Sequence, residues 1–145
     1  MTIIQIIKED SARTPTYATD YSAGVDLYAH IKEPIAVWPY GGAVRIPTGI
    51  RLSPTERNCV GLLVPRSGLS TRRGIILANT IGVIDSDYQD EIIIMLRNIS
   101  EILYHVEPDE RLAQLIFVPI LRVTFEEVDT FTYKTTRKGG FGSTG

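Results

Sequence analysis

Prolines and glycines cut the segment from residue 34 to residue 52 into short pieces, and this constrains the fold more than any other feature. The breaks are Pro34, Pro39, Pro47 and the pair Gly41 and Gly42. A proline inside a helix removes a backbone donor and clashes with the preceding turn, so no helix can run through this segment. Its apolar residues alternate, as Val44 and Ile46 do, which is typical of strands. The sequence therefore predicts short strands here.

Similar short apolar runs extend along the rest of the chain. They cover residues 3–7, 59–64, 74–77, 91–96, 102–106, 112–120 and 121–128. These runs are rich in β-branched residues and are bounded by turn-forming or charged residues. We therefore expect an all-β fold of about ten short strands with very little helix. The irregular strand spacing favours a jelly-roll-like β-barrel.

Composition excludes several classes of protein. The 145 residues are 43% hydrophobic and 22% charged, which is typical of one globular domain and not of a disordered or membrane-spanning chain. The net charge of −2 argues against a nucleic-acid partner but permits a small anionic ligand. Cys59 is the only cysteine, so no disulfide can form within the chain. The first residues do not resemble a signal peptide, and we expect a cytoplasmic protein, or one inside a host cell if the chain is viral, with no membrane partner.

An acidic segment, GVIDSDYQDEI at residues 82–92, lies between two of the predicted strands. Its position predicts the turn of a β-hairpin. The segment carries Tyr88 and the four carboxylates of Asp85, Asp87, Asp90 and Glu91. It does not match a calcium-binding EF-hand loop, because counting from Asp85 puts Asp90 where glycine is needed and Leu96 where glutamate is needed. Two interpretations remain, a solvated acidic turn and a site that uses its carboxylates for catalysis or metal binding.

A basic segment, PRSGLSTRRG at residues 65–74, interrupts the strand pattern. Its three arginines, Arg66, Arg72 and Arg73, surround Ser67 and Gly68. Exposed backbone N–H groups beside arginine side chains suit an anion. The segment is not a Walker A loop, since G-x-x-x-x-G-K-[ST] does not occur in the sequence. We expect a turn that is either an anion site or simply solvated.

Two polar residues and the end of the chain also attract attention. Asp26 follows a tight turn at Ala23 and Gly24, where an acid is usually only a turn residue. Gln114 interrupts an apolar strand, and burying its amide unpaired would cost about 1–3 kcal/mol. The sequence predicts one β domain at residues 1–136 and a flexible glycine-rich tail at residues 137–145. Phe141 in this tail suggests an alternative, a flap that closes over an aromatic ring.

Five segments together, in this order, resemble a known family. They are SAGVDLYA, PRSGLS, NTIGVIDSDYQDEI, RLAQLIF and GGFGSTG, and the resemblance extends over residues 23–145. This set is similar to the five motifs of the homotrimeric dUTP diphosphatases, the dUTPase family. The resemblance implies a β jelly roll that hydrolyses dUTP to dUMP and pyrophosphate with Mg²⁺, by attack of an Asp-activated water on the α-phosphorus. It also implies a homotrimer whose sites are shared between subunits, and a role in keeping uracil out of DNA and supplying dUMP for dTMP synthesis.

The resemblance implies a role for each motif residue. Asp85 matches the carboxylate that activates the attacking water, and Tyr88 matches the ring that packs on the deoxyribose and excludes a 2′-hydroxyl. Asn79, Gly82, Val83 and Ile84 match the segment whose main chain binds the uracil edge. Arg66, Ser67, Gly68 and Gln114 match phosphate-binding groups. Asp26 resembles the acid that supports the metal-bound triphosphate, through water, and Arg111 resembles an adjoining phosphate-side group. Phe141 resembles the ring that stacks over uracil, and Arg137, Gly142, Ser143 and Thr144 resemble tail groups that close on the γ-phosphate.

This chain departs from the family pattern at two points. Where the third motif usually has D-Y-x-G-E, the chain has Asp90 in place of glycine. Glycine at such a position is typical of a left-handed backbone, which Asp adopts less easily. The fifth motif is one residue shorter than the common R-G-x-G-G-F, so Lys138 is an alternative to Arg137 for the γ-phosphate.

Two other functions are compatible with parts of the sequence. A regulatory protein of the same fold would keep the pocket as a nucleotide sensor. A dCTP deaminase would belong to a related branch, although PRSGLS and DSDY follow the dUTPase pattern. Turnover of dUTP compared with dCTP separates all three hypotheses.

Overall fold

The structure, a computed structural model, describes residues 2–136 and contains twelve strands and one helix in that part of the chain. In chain order the elements are β1 Ile4–Lys8, β2 Thr16–Tyr17, β3 Val25–Tyr28, β4 Ile35–Val37, β5 Val44–Pro47, β6 Ile50–Pro54, β7 Cys59–Pro65, α1 Ser67–Arg73, β8 Ile75–Leu77, β9 Gly82–Ile84, β10 Ile93–Asn98, β11 Tyr104–Val106 and β12 Arg111–Pro119. The predicted all-β class with very little helix is confirmed. No helix within the described residues has the length and hydrophobicity needed to cross a membrane.

The named strands pair antiparallel in four sheets. The largest has the order β2-β3-β12-β7-β9, and the others are β5-β10-β8, β1-β6 and β11-β4. This arrangement is jelly-roll-like, as expected, but the sheets that the described residues form stay open and do not close into a barrel.

One hydrophobic core lies between the sheets. Alternate residues of the central strands supply it, as Leu63 does from β7 and Ile94 and Leu96 do from β10, with exposed fractions of 2% or less. In a strand every second side chain points to the same face, so one face of each strand packs into the core. This need for apolar residues at core positions made the short strands recognisable from the sequence.

The basic segment at 65–74 forms a helix, α1, where we expected a turn. Leu69 is its one buried residue, and Thr71 Oγ1 donates back to the Ser67 carbonyl at 2.6 Å. Gly74 ends the helix in a left-handed conformation with φ of 65°, where a Cβ would lie 2.8 Å from Ser100 Cβ. A helix of two turns with a single buried side chain shows no apolar periodicity, so the sequence pattern did not reveal it.

One predicted turn and one predicted strand were wrong. The acidic segment is not a simple hairpin turn, because β9 pairs with β7 while β10 pairs with β8 and β5. The apolar runs at 74–77 and 91–96 do pair, through β8 and β10, but β9 lies between them in the chain and joins another sheet. Residues 121–128 form no strand, since their exposed apolar side chains, such as Leu121 and Phe125, find no neighbouring strand within residues 2–136.

Candidate active site

Asp26 lies at the centre of a group of polar side chains on the largest sheet. Gln114 of β12 pairs with Asp26 of β3 on one side and with Val64 of β7 on the other. The Asp26 carboxylate is buried, with 6% of the residue exposed. Its Oδ1 lies 3.1 Å from Arg66 Nε, and its Oδ2 lies 3.2 Å from Arg111 Nη1. Arg66 Nη1 also donates to the Arg111 carbonyl at 3.1 Å.

We call Asp26, Arg66 and Arg111 the arginine cluster. One carboxylate between two guanidinium groups leaves one positive charge uncompensated, which favours an anion at this point. Because Asp26 fixes the Nε edge of Arg66, the position of the guanidinium is set before a ligand arrives. The side chains of Arg66 and Arg111 remain 29% and 48% exposed, so both can contact a ligand from solvent.

Gln114 and the start of α1 lie beside the arginine cluster. Gln114 Nε2 donates to the Pro65 carbonyl at 3.4 Å, so the predicted partner for this amide exists. Gly24 makes room for the glutamine, since a Cβ on Gly24 would lie 3.2 Å from Gln114 Oε1. Ser67 and Gly68 begin α1, whose N-cap residue Arg66 makes no side-chain cap. The structure thus brings together the predicted phosphate-binding residues.

These side chains do not form a metal site by themselves. Both carboxylate oxygens of Asp26 already face guanidinium groups, whose positive charges disfavour a divalent cation in direct contact with them. Within residues 2–136 no three His, Cys, Asp or Glu side chains gather as they do around a metal ion. A divalent cation here would need ligands from a bound phosphate compound. Support of such a cation by Asp26 through water stays a prediction.

Asp85 and Tyr88 lie on a turn that follows β9. Tyr88 N donates to the Asp85 carbonyl at 3.0 Å, which closes the turn. The Tyr88 hydroxyl donates to the Glu91 carbonyl at 2.9 Å and fixes one edge of the ring, which is 39% exposed. The Asp85 side chain is exposed to solvent. Asp90 is also exposed and does not have a positive φ, so the expected left-handed backbone is absent at this position.

The turn that precedes β9 has an unusual backbone. Thr80 has a φ of 61°, which is rare for a β-branched residue, and Ile81 N donates to the Asn79 carbonyl at 2.7 Å. Gly82 then approaches β7 closely, since a Cβ on it would lie 3.0 Å from Leu63 Cβ. This turn fixes the main chain at Asn79, Gly82, Val83 and Ile84. No pattern in the sequence indicated the positive φ at Thr80.

One chain does not bring Asp85 to the arginine cluster. Ile84 pairs with Gly61 near the beginning of β7, so Asp85 lies beyond that point, whereas Arg66 follows the end of β7. At about 3.3 Å per residue, the strand separates the two by about 20 Å. That is longer than a triphosphate chain. The sequence-predicted residues therefore form two separate groups within one chain.

A cleft of about 330 Å³ adjoins the arginine cluster and contains two residues that sequence reasoning missed, Tyr104 and Glu110. The lining residues are Arg66, Gly68, Leu69, Arg72, Arg73, Tyr104 and Glu110. Burial raises the pKa of the Tyr104 phenol, and its hydrogen bond to the Glu110 carboxylate raises this pKa further. Tyr104 therefore stays a neutral donor to the half-buried Glu110 carboxylate, while Arg72 and Arg73 of the same cleft are exposed. The predicted tail residues Arg137, Phe141, Gly142, Ser143 and Thr144, and the alternative Lys138, lie outside the described residues.

Comparison with known proteins adds an independent observation. A family model described as dUTPase matches residues 10–145 of this chain. A deoxyuridine 5'-triphosphate nucleotidohydrolase of Alcanivorax borkumensis is 42% identical over 136 residues, which cover 94% of this chain and 90% of that protein. A protein of the same name from Glaesserella parasuis is 46% identical over 131 residues, which cover 90% and 86%.

Solved structures share the fold. A mutant of the dUTPase from Staphylococcus bacteriophage 80alpha, with dUpNHpp, matches with a TM-score of 0.87 and 26% identity over 99% of this chain and 98% of that one. A mutant dUTPase from phage phi11 of S. aureus, described with a structural Mg(II) ion, matches with a TM-score of 0.80 and 23% identity over 90% and 99%.

Proposed function

This chain belongs to the dUTPase family, and we propose that it is a dUTP diphosphatase that hydrolyses dUTP to dUMP and pyrophosphate. The match of the family model to residues 10–145 carries the proposal, because it includes all the motif residues. In a cell this reaction would keep uracil out of DNA and supply dUMP for dTMP synthesis.

The arginine cluster supports binding of the triphosphate. Its uncompensated positive charge, the amide of Gln114 and the N–H groups at Ser67 and Gly68 offer donors of the kind that phosphate oxygens accept. Such donors stabilise charge that develops on phosphate oxygens during displacement at phosphorus. Because Asp26 holds Arg66 in place, little reorganisation is needed when the substrate binds.

Asp85 is the proposed general base. Its exposed carboxylate would accept a proton from the water that attacks the α-phosphorus. Positioning of that water in line with the leaving pyrophosphate, and not a covalent intermediate, would supply most of the catalysis. The solvent access of Asp85 in a single chain is compatible with a site that other groups complete.

Mg²⁺ is proposed as a companion of the substrate. The described residues offer it no direct cluster of ligands, so the triphosphate would supply most of its coordination. When bound, it would spread the charge of the phosphates. Asp26 would contribute only through water, since both its oxygens are engaged by arginines.

Base and sugar selection are assigned to the β9 region. Fixed N–H and C=O groups between Asn79 and Ile84 would match uracil and leave unpaired groups against cytosine. The strained backbone at Thr80 supports this role, because strain persists where the surrounding structure holds one conformation. The Tyr88 ring would fill the space of a ribose 2′-hydroxyl and so select the deoxyribose.

We propose that the enzyme is a homotrimer with shared sites. The separation of about 20 Å between Asp85 and Arg66 along β7 supports this, because one substrate cannot reach both groups in one chain. The exposed apolar side chains of residues 121–128 also favour self-association. In this arrangement Phe141 of the tail would stack over uracil, and Arg137, Gly142, Ser143 and Thr144 would contact the γ-phosphate.

The test is an assay of the purified chain with dUTP, UTP and dCTP, each with and without Mg²⁺, and with the products identified. We expect conversion of dUTP to dUMP and pyrophosphate that requires Mg²⁺, with far slower turnover of the other two. Binding without turnover would indicate a nucleotide sensor, and release of ammonia from dCTP would indicate a deaminase. Either result would reject the proposed activity.

A further inference from the structure

The hydroxyl group of Tyr88 is held by a single peptide unit. It donates to the carbonyl oxygen of Glu91 at 2.9 Å. The N–H of the same peptide belongs to Ile92 and donates to the carbonyl oxygen of Ile50 at 2.9 Å. Because a trans peptide is planar, with its C=O and N–H on opposite sides, the direction of one group fixes the other. The Ile50 carbonyl therefore sets the direction in which the acceptor of Tyr88 points.

Side chains fasten this peptide to the turn at residues 48–50. Glu91 Oε1 accepts the N–H of Gly49 at 2.7 Å. Thr48 Oγ1 donates to the carbonyl oxygen of Ile92 at 2.7 Å and accepts the N–H of Ile50 at 3.2 Å. Thr48 and Ile92 are each 1% exposed, so water cannot replace the bonds between them.

The turn at residues 48–50 is itself held in one conformation. Gly49 has a φ of 66°, and a Cβ on it would lie 2.7 Å from both Ala12 Cβ and His30 Nδ1. Only glycine fits there. The Gly49 carbonyl also accepts the N–H of Glu9 at 2.8 Å. A rigid turn from a distant part of the chain thus lies behind the peptide that holds Tyr88.

We propose that the Glu91 side chain is a positioning residue for sugar discrimination, acting through Gly49 on the peptide that holds the Tyr88 ring, with Thr48 in the same role. The inference rests on the proposed function, in which this ring excludes a 2′-hydroxyl. Exclusion by a ring works only while the ring is held in place, since a side chain free to turn aside admits the larger sugar. Loss of the Glu91 carboxylate therefore acts on UTP more than on dUTP.

The test compares Glu91→Ala with Glu91→Gln and measures kcat/KM for dUTP and UTP. We expect Glu91→Ala to lower the dUTP/UTP ratio about tenfold, which is what loss of one charge-assisted hydrogen bond is worth. Glu91→Gln keeps an oxygen acceptor for Gly49 N–H and should hold the ratio within about twofold of the wild type. Asp90→Ala, which removes the exposed neighbouring carboxylate, is the matched control and should leave the ratio unchanged. A ratio of two substrates does not depend on the fraction of folded protein.

Tyr88→Phe supplies a second route to the same answer. It removes only the hydroxyl that bonds to the Glu91 carbonyl, so it should lower the ratio as Glu91→Ala does, and the double variant should fall no further. If Glu91→Ala does not fold, Tyr88→Phe alone decides, and an unchanged ratio in it overturns the inference. An unchanged ratio in Glu91→Ala, or effects that simply add in the double variant, also overturns it. Tyr88→Ala tests the sugar role of Tyr88 separately from the positioning role of Glu91. An unchanged ratio in this variant would reject the sugar role of Tyr88 itself.

Discussion

If each active site takes Asp85 from one chain and Arg66 from another, two inactive variants should restore activity when mixed. The structure supplies the reason. Asp85 lies just beyond the point where Ile84 of β9 pairs with Gly61, near the beginning of β7. Arg66 follows the other end of β7. At about 3.3 Å per residue these positions are about 20 Å apart. The experiment uses two single variants, Asp85→Asn and Arg66→Ala, each of which we expect to be inactive alone.

The expected recovery follows from counting sites. In a cyclic trimer of mixed composition there is always one junction where an intact Asp85 meets an intact Arg66 of the neighbouring chain. Random assembly at equal amounts makes about three quarters of trimers mixed, each with one intact site of three, so about a quarter of wild-type activity returns. The assay is dUTP hydrolysis after co-refolding, with mixing of subunits verified by two different affinity tags.

A double variant in one chain provides the matched control. Mixed with wild type in equal amounts, it should leave about a quarter of the activity if sites are shared, but about half if each chain builds its own site. For separate sites the two single variants would restore nothing. A recovery of zero in verified mixed trimers, together with half activity in the control, would show that each chain builds its own site.

Three further outcomes are expected. Asp85→Asn should lower kcat about a thousandfold while dUTP still binds, because the amide cannot accept a proton; an unchanged kcat would exclude Asp85 as the base. Tyr88→Ala should lower the dUTP/UTP ratio of kcat/KM by about tenfold or more, because space for a 2′-hydroxyl opens, and an unchanged ratio would contradict that role. Asp90→Gly should lower the free energy of unfolding by about 0.5–1 kcal/mol, measured by urea denaturation, because Asp90 lacks the positive φ that glycine would relieve; a gain in stability would show this argument to be wrong.

Much of the fold could be predicted because the signal for a strand is local. The alternation in β5 and the apolar runs of β7 and β12 depend only on neighbouring residues, and a proline ends each of these strands. Pairing is not local, which is why residues 82–84 were predicted as part of a turn although they form β9 and pair with β7. The same limit explains residues 121–128, whose alternating apolar residues suit a strand but have no neighbour within residues 2–136.

The sequence allowed candidate site residues to be proposed one by one, but it did not show how they are arranged in space. The motifs identified Asp26, Arg66 and Gln114 separately, but nothing local could show that Arg111 contacts Asp26 across 85 positions of sequence. Glu91 illustrates the same point. In the sequence it is one of four neighbouring carboxylates, and only the approach of Gly49 distinguishes it from Asp90.

The arginine cluster suggests a different role for Asp26, the acid of the first motif. The resemblance suggested support of a metal, and a carboxylate with free oxygens would suit that task. In this structure Asp26 is buried, and each of its carboxylate oxygens contacts one arginine. The carboxylate therefore mainly determines the positions of the two guanidinium groups. A buried acid without such partners would carry a large desolvation cost, and arginines without the acid would be free to move. The arginines therefore make the burial of Asp26 possible, and Asp26 in turn holds the arginines in place. The proposed phosphate binding would depend on the pairing of β3 with β12, because the register that places Asp26 opposite Gln114 also brings the arginine cluster and the amide to one site.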